Sequence, residues 1–185
     1  YVADVSFDLK DTEQRLFGPD THVDVPTWTY FGDAVEDVLP NPSRRISLAL
    51  EDERILFLRF NYARYRLAPM LEAQRKREIL ARTRQIVFWY RRMLEARASL
   101  VQANMGLVLA MAKRSRINAV EFSELVSEGN MALLRSVEKF DVARGFKFST
   151  YGCRSILKGF NRMATKTGKY RQHFPTEFDP EMERS

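Results

Sequence analysis

A chain of 185 residues with 45% hydrophobic and 29% charged side chains can bury the core of one medium domain, with or without an appendage, so wholesale disorder is excluded. One cysteine, Cys153, excludes an internal disulfide framework, and with only His22 and His173 beside it no thiolate–imidazole zinc site can be assembled. The net charge of +6 divides unevenly: residues 1–43 hold nine acids and two bases, net −7, so residues 44–185 carry net +13, a balance that suits a polyanionic partner.

The low glycine and proline content beside abundant Leu, Arg, Ala and Glu predicts an all-α fold, a helical bundle with an acidic N-terminal arm. No apolar run approaches the ~18 residues of a membrane span, so no membrane partner is expected. The chain opens at Tyr1 without a charged-then-apolar leader, and a fragment of a longer, cytoplasmic protein is the expectation.

In residues 1–43, Pro19, Pro26, Pro40 and Pro42 with Gly18 and Gly32 break any long periodicity. This arm reads as extended, loosely docked or flexible, with Trp28, Tyr30 and Phe31 as anchors; it either masks part of the basic body or is a solvated tail. Asn41-Pro42-Ser43 is a helix-start signal. From Ile46 to Leu67 the spacing of Leu50, Ile55, Leu58, Tyr62 and Tyr65 is roughly helical, and Pro69 is expected to interrupt it. A second helix is predicted from Met70 to Arg97, with a boundary at Ala98 or Ser99 that separates N-terminal helices (44–98) from a C-terminal core (99–175). Residues 61–116 hold 13 bases and three acids, more than solubility requires. An apolar helix follows from Leu100 to Lys113, then one starting near Ser123 as N-cap, with Val126, Leu133, Val137 and Phe140 inward. Ser149 or Thr150 caps a last helix to about Lys166, stopped by Thr167-Gly168, and residues 176–185 read as the start of a linker.

No Gly-rich phosphate loop, nucleophile elbow or metal-spaced carboxylate cluster is present in the sequence, so no catalytic residue, metal or cofactor is expected and the chain does not read as an enzyme. Glu121, Glu124 and Glu128 share a helical face and read as a solvated or partner-facing edge. Residues 142–171 stand apart, with eight bases and no acid among 30 residues, interleaved with Phe146, Phe148, Tyr151, Phe160 and Tyr170. Cations attract phosphates and flat rings stack on bases, a combination suited to single-stranded nucleic acid. Arg154, Lys158, Arg162 and Lys166 recur every four residues as one basic stripe. Like charges so spaced repel, which an anionic partner would relieve.

Four collinear runs carry a resemblance: 102–108 (QANMGLV), 122–130 (FSELVSEGN), 137–141 (VEKFD) and 144–151 (RGFKFSTY). Together they resemble region 2, the promoter-melting domain of bacterial sigma factors, from about Leu100 to Pro175, with a looser likeness of residues 44–67 to the helical segment that precedes it. The resemblance implies a transcription initiation factor with core RNA polymerase and promoter DNA as partners, and an anti-sigma factor as a further candidate. Glu124, Ser127, Glu128, Asn130 and Leu134 match the helix that docks on the beta-prime clamp helices, although Ser127 stands where relatives often carry a longer amide. Phe140, Arg144, Phe148 and Tyr151 match the pocket for the first flipped base of the −10 element's non-template strand, and Asn104 and Ser149 a second pocket. Phe146, Lys147 and Arg154 join this DNA-binding set, and Lys158, Asn161 and Arg162 match positions that read the upstream duplex edge or its phosphates. Arg154 and Ser155 stand where housekeeping members carry a tryptophan pair, which implies an alternative-type factor with a changed melting step. Two other readings remain: a stand-alone helical DNA-binding module, and a polymerase-binding decoy without promoter melting.

Overall fold

The computed structural model describes residues 1–19, 21–26, 48–115, 117 and 120–173, with side chains up to Lys169. Among the described residues the chain is an all-helical bundle of α1 (Thr12–Phe17), α2 (Leu50–Lys76), α3 (Leu80–Arg114), α4 (Phe122–Lys139) and α5 (Phe148–His173). The sequence expectation of an all-α bundle holds. No helix among these residues is long and apolar enough to cross a membrane.

α2 begins with Glu51, Asp52 and Glu53 and ends with Arg75 and Lys76, charges that complement the helix dipole at both ends. The predicted break at Pro69 does not occur: the proline lies on the exposed side of a continuous 27-residue helix. A mid-helix proline costs ~3 kcal/mol. Leu67 is buried and Met70 packs against the cluster that holds Trp89, so burial on both sides of the proline offsets that cost. After Lys76, Arg82 donates to the carbonyls of Ala73 (2.9 Å) and Arg77 (2.8 Å), which satisfies acceptors that a helix end leaves open. The three-residue connector Arg77–Ile79 then starts α3, whose 35 residues span roughly 50 Å at 1.5 Å each.

The helix break expected at Ala98 or Ser99 does not occur either, because α3 runs through it. Ala96, Leu100, Ala103, Asn104 and Val108 form one buried face there, and this packing outweighs the modest helix preference of serine. The first 26 residues also depart from a loosely docked arm wherever they are described. A short 3-10 turn at Val5–Asp8 and α1 bury Phe7 and Leu16 beside Tyr62, Ala63, Leu67 and Trp89. Phe7 meets Tyr62 edge-on at 5.4 Å and Phe17 meets Trp89 at 5.9 Å. Glu13 bridges Arg66 (3.1 Å) and Arg92 (3.3 Å), so part of the acidic excess lies on the basic body. Aromatic burial holds this segment, a force that its short, proline-bounded pattern conceals. The anchors Trp28, Tyr30 and Phe31 and the Asn41-Pro42-Ser43 signal lie outside the described residues.

The main core joins α2 to α5, with Phe57, Phe60, Leu100, Val108, Leu133, Val137, Phe148, Ile156 and Phe160 almost wholly buried. α4 approaches α3 and α5 closely at Gly129, where an added Cβ would stand 2.5 Å from Val108 Cγ1 and 3.2 Å from Phe160 Cε1. α4 starts at Phe122 after Glu121, not after Ser123 as expected; Ser123 sits inside the first turn and its carbonyl accepts the Ser127 hydroxyl at 2.9 Å. α5 starts one residue before the predicted caps and runs past Thr167-Gly168 to His173.

Candidate nucleic-acid and protein interface

The connector between α4 and α5 is built by local rules. Asp141 accepts the Ala143 N–H at 3.0 Å and caps a 3-10 turn over Val142–Arg144. Gly145 then takes a left-handed conformation with φ 73°, which reverses the chain without the strain another residue would carry. Around it Arg144, Phe146 and Lys147 are exposed to solvent, Phe146 being 68% exposed. Arg144 keeps one tether, Asp141 Oδ2 at 3.5 Å.

At the start of α5 the rings differ sharply. Phe148 is fully buried, 5.2 Å from Phe57 and 5.3 Å from Phe140, and Phe140 is itself buried against Phe57 at 4.8 Å. Neither ring offers an open face to solvent. Tyr151 is 39% exposed and rests on Phe140 at 5.7 Å. Asn104 is also buried, its amide donating to Leu100 O of its own helix at 2.8 Å. Ser149 is half-buried beside the exposed Thr150.

Further along α5, Arg154, Leu157, Lys158, Asn161, Arg162 and Lys166 are exposed. Arg154 and Lys158 have no hydrogen-bond or ion-pair partner among the described residues. Arg162 differs: its guanidinium donates to Glu128 Oε1 on α4 at 2.6 Å, with Arg135 3.7 Å from the same oxygen. The expected stripe is therefore open at Arg154 and Lys158 and tied down at Arg162. Cys153 is half-buried, and burial pushes its thiol up, away from a reactive thiolate.

On α4, Glu124 and Ser127 are exposed, whereas Asn130 and Leu134 are half-buried and the Glu128 side chain is only 17% exposed beneath its two arginines. Met131, 49% exposed and seven residues after Glu124, completes an outward stripe with Glu124, Ser127 and Leu134. Sequence reasoning missed Met131; its spacing from Glu124 and Ser127 was the available signal. α4 and α5 thus present two adjacent outward surfaces, one mixed acidic and apolar, the other basic and aromatic.

The family model "Sigma-70 region 2" matches residues 100–169, which hold both surfaces. Residues 100–169 are a sigma-70 region 2 domain. RNA polymerase sigma factor SigA of Listeria monocytogenes serovar 1/2a is 45% identical over 69 residues, covering 37% of this chain and 18% of that protein. SigA of Listeria innocua serovar 6a matches with the same identity and coverage. The matched segment is thus less than a fifth of the length of those relatives. In this region 2 domain α3 from Leu100 onward, α4 and most of α5 form the body, while α2 and the first half of α3 lie outside the match and α2 still supplies Phe57 and Glu53 to it.

Proposed function

We propose that this chain is the polymerase-docking and promoter-opening part of a transcription initiation factor of the sigma class. The α4 stripe of Glu124, Ser127, Met131 and Leu134 meets the beta-prime clamp helices of core RNA polymerase, where charge complementarity sets specificity and on-rate. The surface of Arg144, Phe146, Lys147, Tyr151, Arg154 and Lys158 takes the non-template strand of the −10 element, rings stacking on flipped bases and cations holding phosphates. The observation that carries this reading is an exposed aromatic and basic surface without an acid between Val142 and Lys169, inside the region 2 match. An anti-sigma factor remains a candidate regulator, and the cytoplasmic nucleoid the place of action.

Burial of Phe140 and Phe148 favours a second reading, a polymerase-binding regulator that does not capture the strand. One experiment separates the two. Core polymerase reconstituted with the chain is assayed for binding and for protection of a −10-like single strand. The initiation reading expects both, with Glu124→Lys losing polymerase and Tyr151→Ala losing only the strand. Polymerase binding without strand protection supports the regulator, and neither activity overturns both readings.

A further inference from the structure

α3 is apolar on two faces in its first half, and only one of them is covered. Ile86, Trp89, Met93 and Ala96 turn inward and pack against α2 and the N-terminal segment. Leu80, Val87 and Leu94 recur at seven-residue steps on the other side, 71%, 46% and 40% exposed, with Tyr90 beside them at 51%. None of these four packs into either core cluster. A solitary exposed leucine needs no explanation, but a ridge in heptad register on a rigid helix does. Seven-residue spacing keeps side chains on the seam that a second helix follows, where each knob enters a hole on the partner.

The charges beside the ridge narrow the partner. Arg84 and Arg91 each follow a ridge residue by four positions, and neither has a hydrogen-bond or ion-pair partner among the described residues. Nearby arginines are spent inside the fold: Arg82 on the carbonyls that end α2, Arg92 on Glu13 and the rings of Phe17, Phe88 and Trp89. Glu95, exposed near Leu94, marks where the basic flank ends. Nucleic acid would use the two arginines but leave Leu80, Val87 and Leu94 in water. A bilayer would favour a broad apolar face, whereas Arg84, Gln85, Arg91 and Glu95 stand exposed between and beside these apolar residues.

We propose that the outward ridge of α3, Leu80, Val87 and Leu94 flanked by Arg84 and Arg91, docks an amphipathic helix of another protein that carries acidic residues beside its apolar seam. The ridge lies outside the region 2 match, so this inference does not depend on promoter binding.

A labelled three-heptad peptide with a leucine seam and flanking glutamates is the probe, read by fluorescence anisotropy against the whole chain. Saturable binding should weaken by at least about tenfold in Val87→Asp, whose exposed position leaves the far-ultraviolet circular dichroism unchanged. The same peptide with lysine flanks should fail on the wild type and bind the Arg84→Glu/Arg91→Glu variant. Equal binding of both peptides to the wild type, no binding at all, or indifference to Val87→Asp overturns the proposal. So does sedimentation showing that a second copy of this chain covers the ridge, or binding to anionic vesicles that Val87→Asp abolishes.

Discussion

The carboxylate of Glu53 on α2 accepts the backbone N–H of Phe148 at 2.7 Å, so the first turn of α5 is capped by a residue 95 positions earlier in the chain. A helix start leaves its first N–H groups without partners, and a buried one must find an acceptor. Here the acceptor comes from outside the region 2 match, and it fixes the turn that carries Tyr151.

Replacing Glu53 with leucine removes the acceptor and leaves a buried N–H unpaired, an expected loss of about 1–3 kcal/mol in denaturant unfolding. Glu53→Gln retains an oxygen and should lose less. Burial pushes the Glu53 carboxyl above its ordinary value, against smaller opposing effects of the Phe148 bond and Lys147. A carboxyl whose folded pKa is raised holds its proton more tightly in the folded chain. Its contribution is therefore full below the ordinary value of 4.5 and is lost as pH rises through the folded value. Wild type should lose stability relative to Glu53→Gln as pH is raised from 4.5. Parallel pH curves for the two proteins would contradict this.

Two glycines on facing helices should respond oppositely to alanine. At Gly129 the new Cβ collides with Val108 Cγ1 at 2.5 Å and crowds Phe160, so a loss of about 1–3 kcal/mol is expected from overpacking. At Gly152 the nearest atoms, in the Phe148 ring, stand at 3.5 Å, an ordinary contact. Gly152→Ala should stabilise α5 by about 0.5–1 kcal/mol through the lower entropy of the unfolded chain. Thermal unfolding of both variants checks the pair, and two shifts of the same sign would refute the packing argument.

Tyr151→Ala should weaken binding of a −10-like single strand by roughly 5- to 150-fold, the loss of about 1–3 kcal/mol of stacking. Lys158→Ala should reduce affinity nearly equally for every sequence and lessen the salt slope. Arg162→Ala should do less than Lys158→Ala, because Glu128 already holds that guanidinium. Titrations at several salt concentrations separate these effects. Equal losses at all three positions would contradict the separation of stacking from charge, and no loss at any of them would place the strand elsewhere.

Glu13→Gln removes the anion that Arg66 and Arg92 share. Two cations are released on the α2–α3 surface, so non-specific duplex DNA affinity should rise at low salt and converge with wild type at high salt. Superimposable salt curves would leave the Glu13 contact with a structural role alone. Deleting residues 1–26 is a harsher test, since it also uncovers Tyr62 and Trp89.

Much of the C-terminal half of the chain was legible in the sequence. The periodicity of α4 and the charge run over α5 depend on neighbours within a few residues, and local rules read both, missing only where each helix starts and where α5 ends. The helical class and the acid-free stretch followed from composition and spacing alone. Pro69 and Ser99 misled for the converse reason: each is a local stop signal that continuous burial between α2 and α3 overrides.

What only the tertiary structure decided is which equivalent groups face water. Phe146, Phe148 and Tyr151 are indistinguishable as aromatic letters in a basic stretch, yet Phe57 and Phe140 cover Phe148 and leave the other two open. Four-residue spacing likewise could not separate Lys158 from Arg162, because the carboxylate that holds Arg162 comes from α4. Local sequence sets helix and charge because both act over one or two turns. Exposure depends on side chains distant in sequence, and only their packing brings them together.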